Sequence, residues 1–220
     1  DGNRENITIM VTICADGTEI PPTVIYKGKA FGTQWHHNNN LGASVAHSTK
    51  GWTDGVIGHH WIKDFDKKTC EKANGRPRLL LVDGHNSHYT EAFLSYARQQ
   101  NIHVLCYPAH TTHIYQGLDV AVFGTLKRCW SEERDEFKRT TGQKITKKNF
   151  IQVYQKAHIR AVTPATIKAA FERTGVCPLN RQVITTDMMA TSLVTSNQGH
   201  LPLLQPSPVR VLADAIHQYQ

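Results

Sequence analysis

Leu79-Leu80-Leu81-Val82-Asp83-Gly84-His85-Asn86-Ser87-His88 decides how this chain is read. The apolar run is short enough to be a buried parallel strand, and the glycine directly after Asp83 punctuates its end. Ile102–Tyr107 is a second strand-like run. It leads through Pro108-Ala109-His110-Thr111-Thr112-His113-Ile114-Tyr115-Gln116-Gly117-Leu118 to Asp119, where a long helical pattern begins. Strand ends facing loops are where α/β sheets place their chemistry. Two aspartates so placed make a candidate site for a hard divalent metal, since Mg²⁺ takes carboxylate oxygens and keeps water and substrate phosphates as its other ligands. Each acid also has an ordinary structural role: Asp before Gly forms turns, and Asp at a helix start caps it.

Working outward, Glu5–Cys14 alternates as a strand with Ile7, Ile9, Val11 and Ile13 on one face. Asp16-Gly17 turns it into Ile20–Tyr26. Pro21-Pro22 makes that second run an expected edge strand, because proline donates nothing to a ladder. Residues 28–42 read as a loop, and Ala43–Ser48 as a third strand of the same meander. Thr53 is expected to cap a helix carrying Ile57, Trp61 and Phe65, with Lys72–Arg78 as a polar connector. Thr90–Asn101 reads as a helix with Phe93, Leu94 and Ala97 inward, so the two central runs and this helix form a βαβ unit. From Asp119 to Arg139 the stripe Val122, Leu126, Trp130 predicts a helix with Asp119 near the core edge. Helices are also expected over Thr146–Val162 and from Thr163-Pro164 to Gly175. Residues 1–180 then make one domain, and 181–220 a polar, proline-bearing tail expected to be poorly ordered.

A formal charge of +7 over 220 residues suits a polyanionic partner without demanding one. The five cysteines are scattered and odd in number, which argues against a disulfide framework and for a reducing compartment. No apolar run approaches the roughly 18 residues of a membrane span, and the N-terminus does not resemble a signal peptide, so a soluble intracellular protein is expected, with no membrane partner. His85 and His88, and His110 and His113, are spaced so as to allow zinc, yet no cysteine accompanies them at finger spacing and imidazole is not the ligand Mg²⁺ prefers. His85, Asn86 and His113 therefore read as groups that order the loops around the carboxylates. Lys144, Lys147 and Lys148 are the cleanest candidates for DNA phosphate contact, because Glu132, Glu133, Asp135 and Glu136 interrupt the other basic stretch.

Several words recur in order: Gly2-Asn3-Arg4-Glu5, Cys14-Ala15-Asp16-Gly17, Ile20-Pro21-Pro22, Tyr26-Lys27-Gly28, Gly51-Trp52, the two aspartate segments, Val122-Phe123-Gly124 with Leu126-Lys127, and Ala170-Phe171 with Thr174-Gly175-Val176 and Pro178. In this series the chain resembles the catalytic domain of the pogo/Tigger branch of mariner-like DDE transposases, to which centromere protein B and the jerky-type proteins are related. The resemblance implies a ribonuclease-H-like α/β fold: a mixed sheet of antiparallel hairpin or meander plus parallel strands, flanked by helices. It implies Mg²⁺ (or Mn²⁺), with Asp83 bridging the metals and Asp119 holding one. It also implies transposon ends and target DNA as partners, a nuclear location, and a possible homodimer or higher assembly on DNA.

The family commonly has Pro where Gly117 stands and Gly where Ala121 stands. Its first carboxylate lies on a strand upstream of Gly2-Asn3-Arg4-Glu5. Asp1 is in the wrong place for it, and Asp16 belongs to a hairpin turn. The chain is thus expected to lack that first strand and its acid, to show a gap between the hairpin and the parallel pair, and to be inactive by itself. Two other classes fit the same residues: a domesticated, transposase-derived module that binds DNA or proteins without cleaving, and an unrelated metal-dependent phosphoesterase.

Overall fold

The computed structural model describes residues 6–88, 90–108, 111–185 and 188. Asp1, the Gly2-Asn3-Arg4-Glu5 word, His110 and nearly all of the expected tail lie outside the described residues. Those up to Thr185 belong to one compact unit.

β1 (Ile7–Ile13) pairs antiparallel with β2 (Glu19–Lys27), and β2 carries β3 (Ser44–Ser48) on its other side. The expectation that β2 is an edge strand is therefore wrong; it is the middle strand, and Val24, Ile25 and Tyr26 are fully buried. The prolines are tolerated because the β1 register shifts between Met10 and Thr12, while the ladder to β3 starts only at Thr23. Pro21 and Pro22 fall at this bulge, where no ladder hydrogen bond is required of them. The meander reading is also corrected: β3 runs parallel to β2. The crossover over residues 28–43, with a 3₁₀ turn at Thr33–His36, is long enough for a parallel return.

The second sheet is the expected βαβ unit. β4 (Arg78–Val82) and β5 (Ile102–Cys106) are parallel, in register at Leu80 and Val104, with α2 (Glu91–Gln99) between them in sequence. α1 (Gly55–Ala73) precedes it. Its cap is Asp54 rather than Thr53, the carboxylate accepting from the Ile57 N–H at 2.9 Å. α1 also runs further than expected and stops at Asn74, which takes the left-handed conformation. Ile62 and Phe65 of α1 and Phe93 and Ala97 of α2 pack with Leu80, Val82 and Ile102 in one core. The helices cover only that face: Leu79 and Leu105 are 63% and 57% exposed, so β4 is not buried on both sides.

A second core joins Val24 and Tyr26 of β2 to the later helices α4 (Phe123–Thr141), α5 (Phe150–Ala161) and α6 (Pro164–Arg173). A short helix, α3 (Thr112–Tyr115), and a π turn at Leu118–Val122 come before α4. Fully buried His158 of α5 bonds Glu19 Oε2 at 2.6 Å through Nε2 and the Tyr154 hydroxyl at 2.9 Å through Nδ1, tying α5 to β2.

No ladder joins β1 to β4 among the described residues. A groove of about 880 Å³ lies between them, lined by the consecutive residues Thr8–Asp16 and Arg76–Asp83. Alternate residues of a strand point to opposite faces. A groove lined by every residue in turn therefore runs along the strands' edges. Lys72 of α1 crosses to Asp16 in the hairpin turn at 2.6 Å and also bonds the Thr18 hydroxyl, holding that carboxyl down at a pKa of about 2.

Tyr26 stacks on Trp35 with centroids 4.7 Å apart, and its buried hydroxyl finds no hydrogen-bond partner among the described residues. Burial pushes its pKa well above the ordinary tyrosine range. Removing a buried, unsatisfied hydroxyl relieves a desolvation penalty. Tyr26→Phe should accordingly leave thermal stability unchanged or raise it by up to about 1 kcal/mol. A calorimetric loss of that size would show that the hydroxyl has a partner.

Candidate active site

Asp83 follows the last residue of β4, where the ladder ends with the Tyr107 N–H donating to Val82 at 3.0 Å. The chain then folds into a 3₁₀ turn, Asn86–His88. That turn swings His88 back so that its Nδ1 lies 3.1 Å from Asp83 Oδ1, while the His85 N–H donates to the same oxygen at 3.3 Å. His88, with the Trp61 and Phe93 rings beside it, is the main cause of a lowered Asp83 pKa, against an opposing contribution from burial. His85 Nδ1 bonds the buried Ser87 hydroxyl at 2.8 Å. Gly58 explains the tightness of this corner. A Cβ there would come within 2.4 Å of the Ser87 carbonyl oxygen, so only glycine lets α1 approach the turn.

Asp119 sits in the π turn, its N–H bonded to the Gln116 carbonyl at 3.0 Å. It is exposed, in contrast to the expected position at the core edge, because the wide turn rotates it outward while Val122 goes fully inward. Its carboxyl still titrates above the ordinary range. Partial desolvation is the largest cause, the charge of Lys127 opposes it, and the negative charge of Asp83 adds to it. A hydrogen bond from the Thr112 side chain and the charge of His113 pull the other way. Gly117, the departure from the family pattern, has a local reason. A Cβ there would meet the Ala170 carbonyl oxygen of α6 at 2.8 Å.

The expected residues fall into two places. Asp83, His85, Asp119 and His113 belong to one neighbourhood, and Asn86 opens the 3₁₀ turn there. Lys144, Lys147 and Lys148 lie instead on the connection between α4 and α5, with Lys147 Nζ 5.9 Å above the Trp35 ring. Sequence reading missed His88, Thr112 and Lys127 as neighbours of the carboxylates. The signal for His88 is faint, since only the 3₁₀ turn brings position 88 back to position 83. Lys127 carries no local signal, because it stands in a stretch where basic and acidic residues alternate.

Among the described residues, no group of three or more His, Cys, Asp or Glu is placed to hold a metal ion. The zinc alternative thus finds no donor set among them, and Asp83 and Asp119 offer two carboxylates. Hard oxygens of this kind fit Mg²⁺ or Mn²⁺, which fill their remaining positions with water or phosphate.

The two acids should titrate as coupled neighbours. In metal-free protein, Asp83→Asn removes a negative charge and should lower the Asp119 pKa. His88→Ala should return Asp83 toward its ordinary value. Because the folded pKa of Asp83 is depressed, its stabilisation is complete above about pH 4 and is lost as pH falls through the folded value. His88→Ala should flatten that acid loss. Carboxyl ¹³C NMR titration measures both shifts, and an unmoved Asp119 would show that the pair is not coupled.

No solved structure matches this chain. A Cochliobolus lunatus protein named MFS-type transporter clz9 is 32% identical over 205 residues, covering 93% of this chain and 22% of that protein. The human protein named Pogo transposable element with ZNF domain is 28% identical over 140 residues, covering 60% of this chain and 9% of that protein. The chain thus corresponds to a minor part of the length of either relative. No helix among the described residues is long and apolar enough to cross a membrane. A family model described as DDE superfamily endonuclease matches residues 4–171, the hairpin, the βαβ unit and both aspartates included, and the chain belongs to that family.

Proposed function

We propose that the chain is the core of a transposase that cuts and joins DNA phosphodiester bonds with Mg²⁺ or Mn²⁺ held by Asp83 and Asp119. The observation that carries this reading is the neighbourhood of the two carboxylates: partial desolvation is the main cause of the raised Asp119 pKa, and the negative charge of Asp83 adds to it. Like charges gathered at a strand end are costly unless a cation offsets them. Divalent ions bound there would activate the attacking water or 3′ hydroxyl and neutralise the leaving oxygen. The chain's own residues prepare the site. His88 and the His85 N–H orient Asp83, and Thr112 orients Asp119. On this reading the substrates are transposon ends and a target duplex. The compartment is the nucleus, the working form a homodimer or higher assembly on DNA, and the catalytic domain residues 1–180.

The reading includes a ribonuclease-H-like sheet. The groove between β1 and β4 supports it, because two unpaired strand edges face one space. Neighbouring strands sit about 4.8 Å apart, so one added strand would bridge edges at about twice that distance. That strand would join the two sheets into one, in the order β3-β2-β1-added-β4-β5. A second reading, a transposase-derived module that binds DNA or protein without cleaving, is favoured by the lack of a third donor beside Asp83 and Asp119 among the described residues.

In the longest protein carrying this chain, Asp83→Asn and Asp119→Asn should each reduce Mg²⁺-dependent cleavage about a thousandfold or more, since a metal's charge stabilisation is worth several kcal/mol. Circular dichroism melting should be unchanged. Retained cleavage in either variant refutes the role of that acid. Wild-type protein that binds DNA but never cuts it establishes the second reading.

A further inference from the structure

Residues 20–53 contain no Asp or Glu, and neither do residues 137–171. The fold brings these two acid-free stretches together. Asn38 Nδ2 donates to Gln152 Oε1 at 3.3 Å, the Asn40 N–H donates to Gln155 Oε1 at 3.1 Å, and Lys147 Nζ lies over Trp35. Lys29, Lys144 and Lys148 are exposed around this junction. Neither stretch contributes an acid to this surface; along α4, Arg128 and Arg139 pair with Glu132 and Glu136.

At its centre stands an ordered group of rings. Trp35 rests on Tyr26, and Phe31 meets Trp35 edge-on at 5.6 Å, with His36 at 5.3 Å and His47 at 6.4 Å. Phe31 is nevertheless 43% exposed. The loop is shaped around the indole, since a Cβ on Gly32 would come within 2.6 Å of Trp35 Cε2. An exposed aromatic ring held in place by other rings and rimmed by cations is the arrangement on which nucleic-acid bases stack while lysines meet the phosphates. A duplex keeps its base faces covered, so the ring selects nucleotides that are unpaired.

We propose that Phe31 and Trp35, with Lys29, Lys144, Lys147 and Lys148, form a docking surface for unpaired nucleotides of a DNA strand. It is carried on the β2–β3 crossover and the α4–α5 connection and not on the loops that bear Asp83 and Asp119. The inference takes its polymer, DNA, from the proposed function and adds the surface and the strand state it accepts.

Fluorescence anisotropy with labelled oligothymidine and with a duplex of equal length, both in EDTA, tests it without metal or cleavage. The wild-type chain should bind the single strand more tightly than the duplex. Phe31→Ala should weaken single-strand binding about tenfold and leave duplex binding nearly unchanged, and Phe31→Trp should restore it. Replacing Lys144, Lys147 and Lys148 by Ala should weaken both and flatten their salt dependence. Equal affinity for the two DNAs, no affinity for either, or a normally melting Phe31→Ala chain that binds the single strand like wild type would each overturn the proposal. Because no metal is present, such a failure leaves the cleavage test of Asp83 and Asp119 to stand or fall separately.

Discussion

A backbone N–H or C=O buried without a partner costs about as much as a lost hydrogen bond, and that constraint shapes this molecule. β2 is satisfied on both edges and its centre is fully buried. Among the described residues, β1 and β4 each pair along one edge only. Consistent with that, every residue of β1 is half-buried and Leu79 of β4 is largely exposed. The two cores meet across the resulting groove, with β1's apolar residues packing on the helical core and Cys14 at its end packing on the other. The groove is thus a consequence of strand pairing and not of poor side-chain packing.

The chemistry at the end of β4 follows from different surroundings acting on like groups. Asp83 has a histidine and a backbone donor at its oxygen and is held ionised. Asp119 is partly desolvated and feels the charge of Asp83, so it holds its proton to higher pH. Environments that push two carboxylates in opposite directions are a mark of functional sites, although ion-pair networks also do it. The His158–Glu19 pair shows the structural counterpart, for it joins a fully buried residue of α5 to a half-buried one at the start of β2.

The parts of the fold legible in the sequence are those governed by local rules. The Leu79–Val82 run, the helix start at Thr90 and the Thr163-Pro164 start have partners within four residues or repeat with a fixed period, and the structure has them close to those positions. The errors arose where a distant partner decides. Pro21-Pro22 argue for an edge, but a bulge that sets both of them opposite Val11 of β1 removes the need for their hydrogen bonds. Ala43–Ser48 reads as a strand by composition, yet its direction depends on where the crossover lands. Asp119 was placed near the core edge by ordinary helical periodicity, which a π turn breaks. Around the two aspartates, the strand end before Asp83 and the helical stretch after Asp119 are legible locally, whereas the approach of His88 to Asp83 is not, because it depends on the backbone path of the turn after β4.

Two glycines show why such sites escape local rules. By helix propensity Gly58 only weakens α1. In the fold it admits the Ser87 carbonyl against the helix, which fixes the turn that brings His88 to Asp83. Gly117 does the same at the other acid, letting the approach to the π turn press against the Ala170 carbonyl of α6. Both carboxylates therefore stand on loops clamped by backbone-to-backbone contact with a helix. Such contact leaves no side chain to rearrange, so it sets a loop more rigidly than a side-chain bridge of equal area. On the proposed reading, in which two like charges share one metal site, that rigidity is required, since a mobile loop would let the carboxylates relax apart. The same residues that look like weak points by propensity are then the ones that let both loops close on their helices.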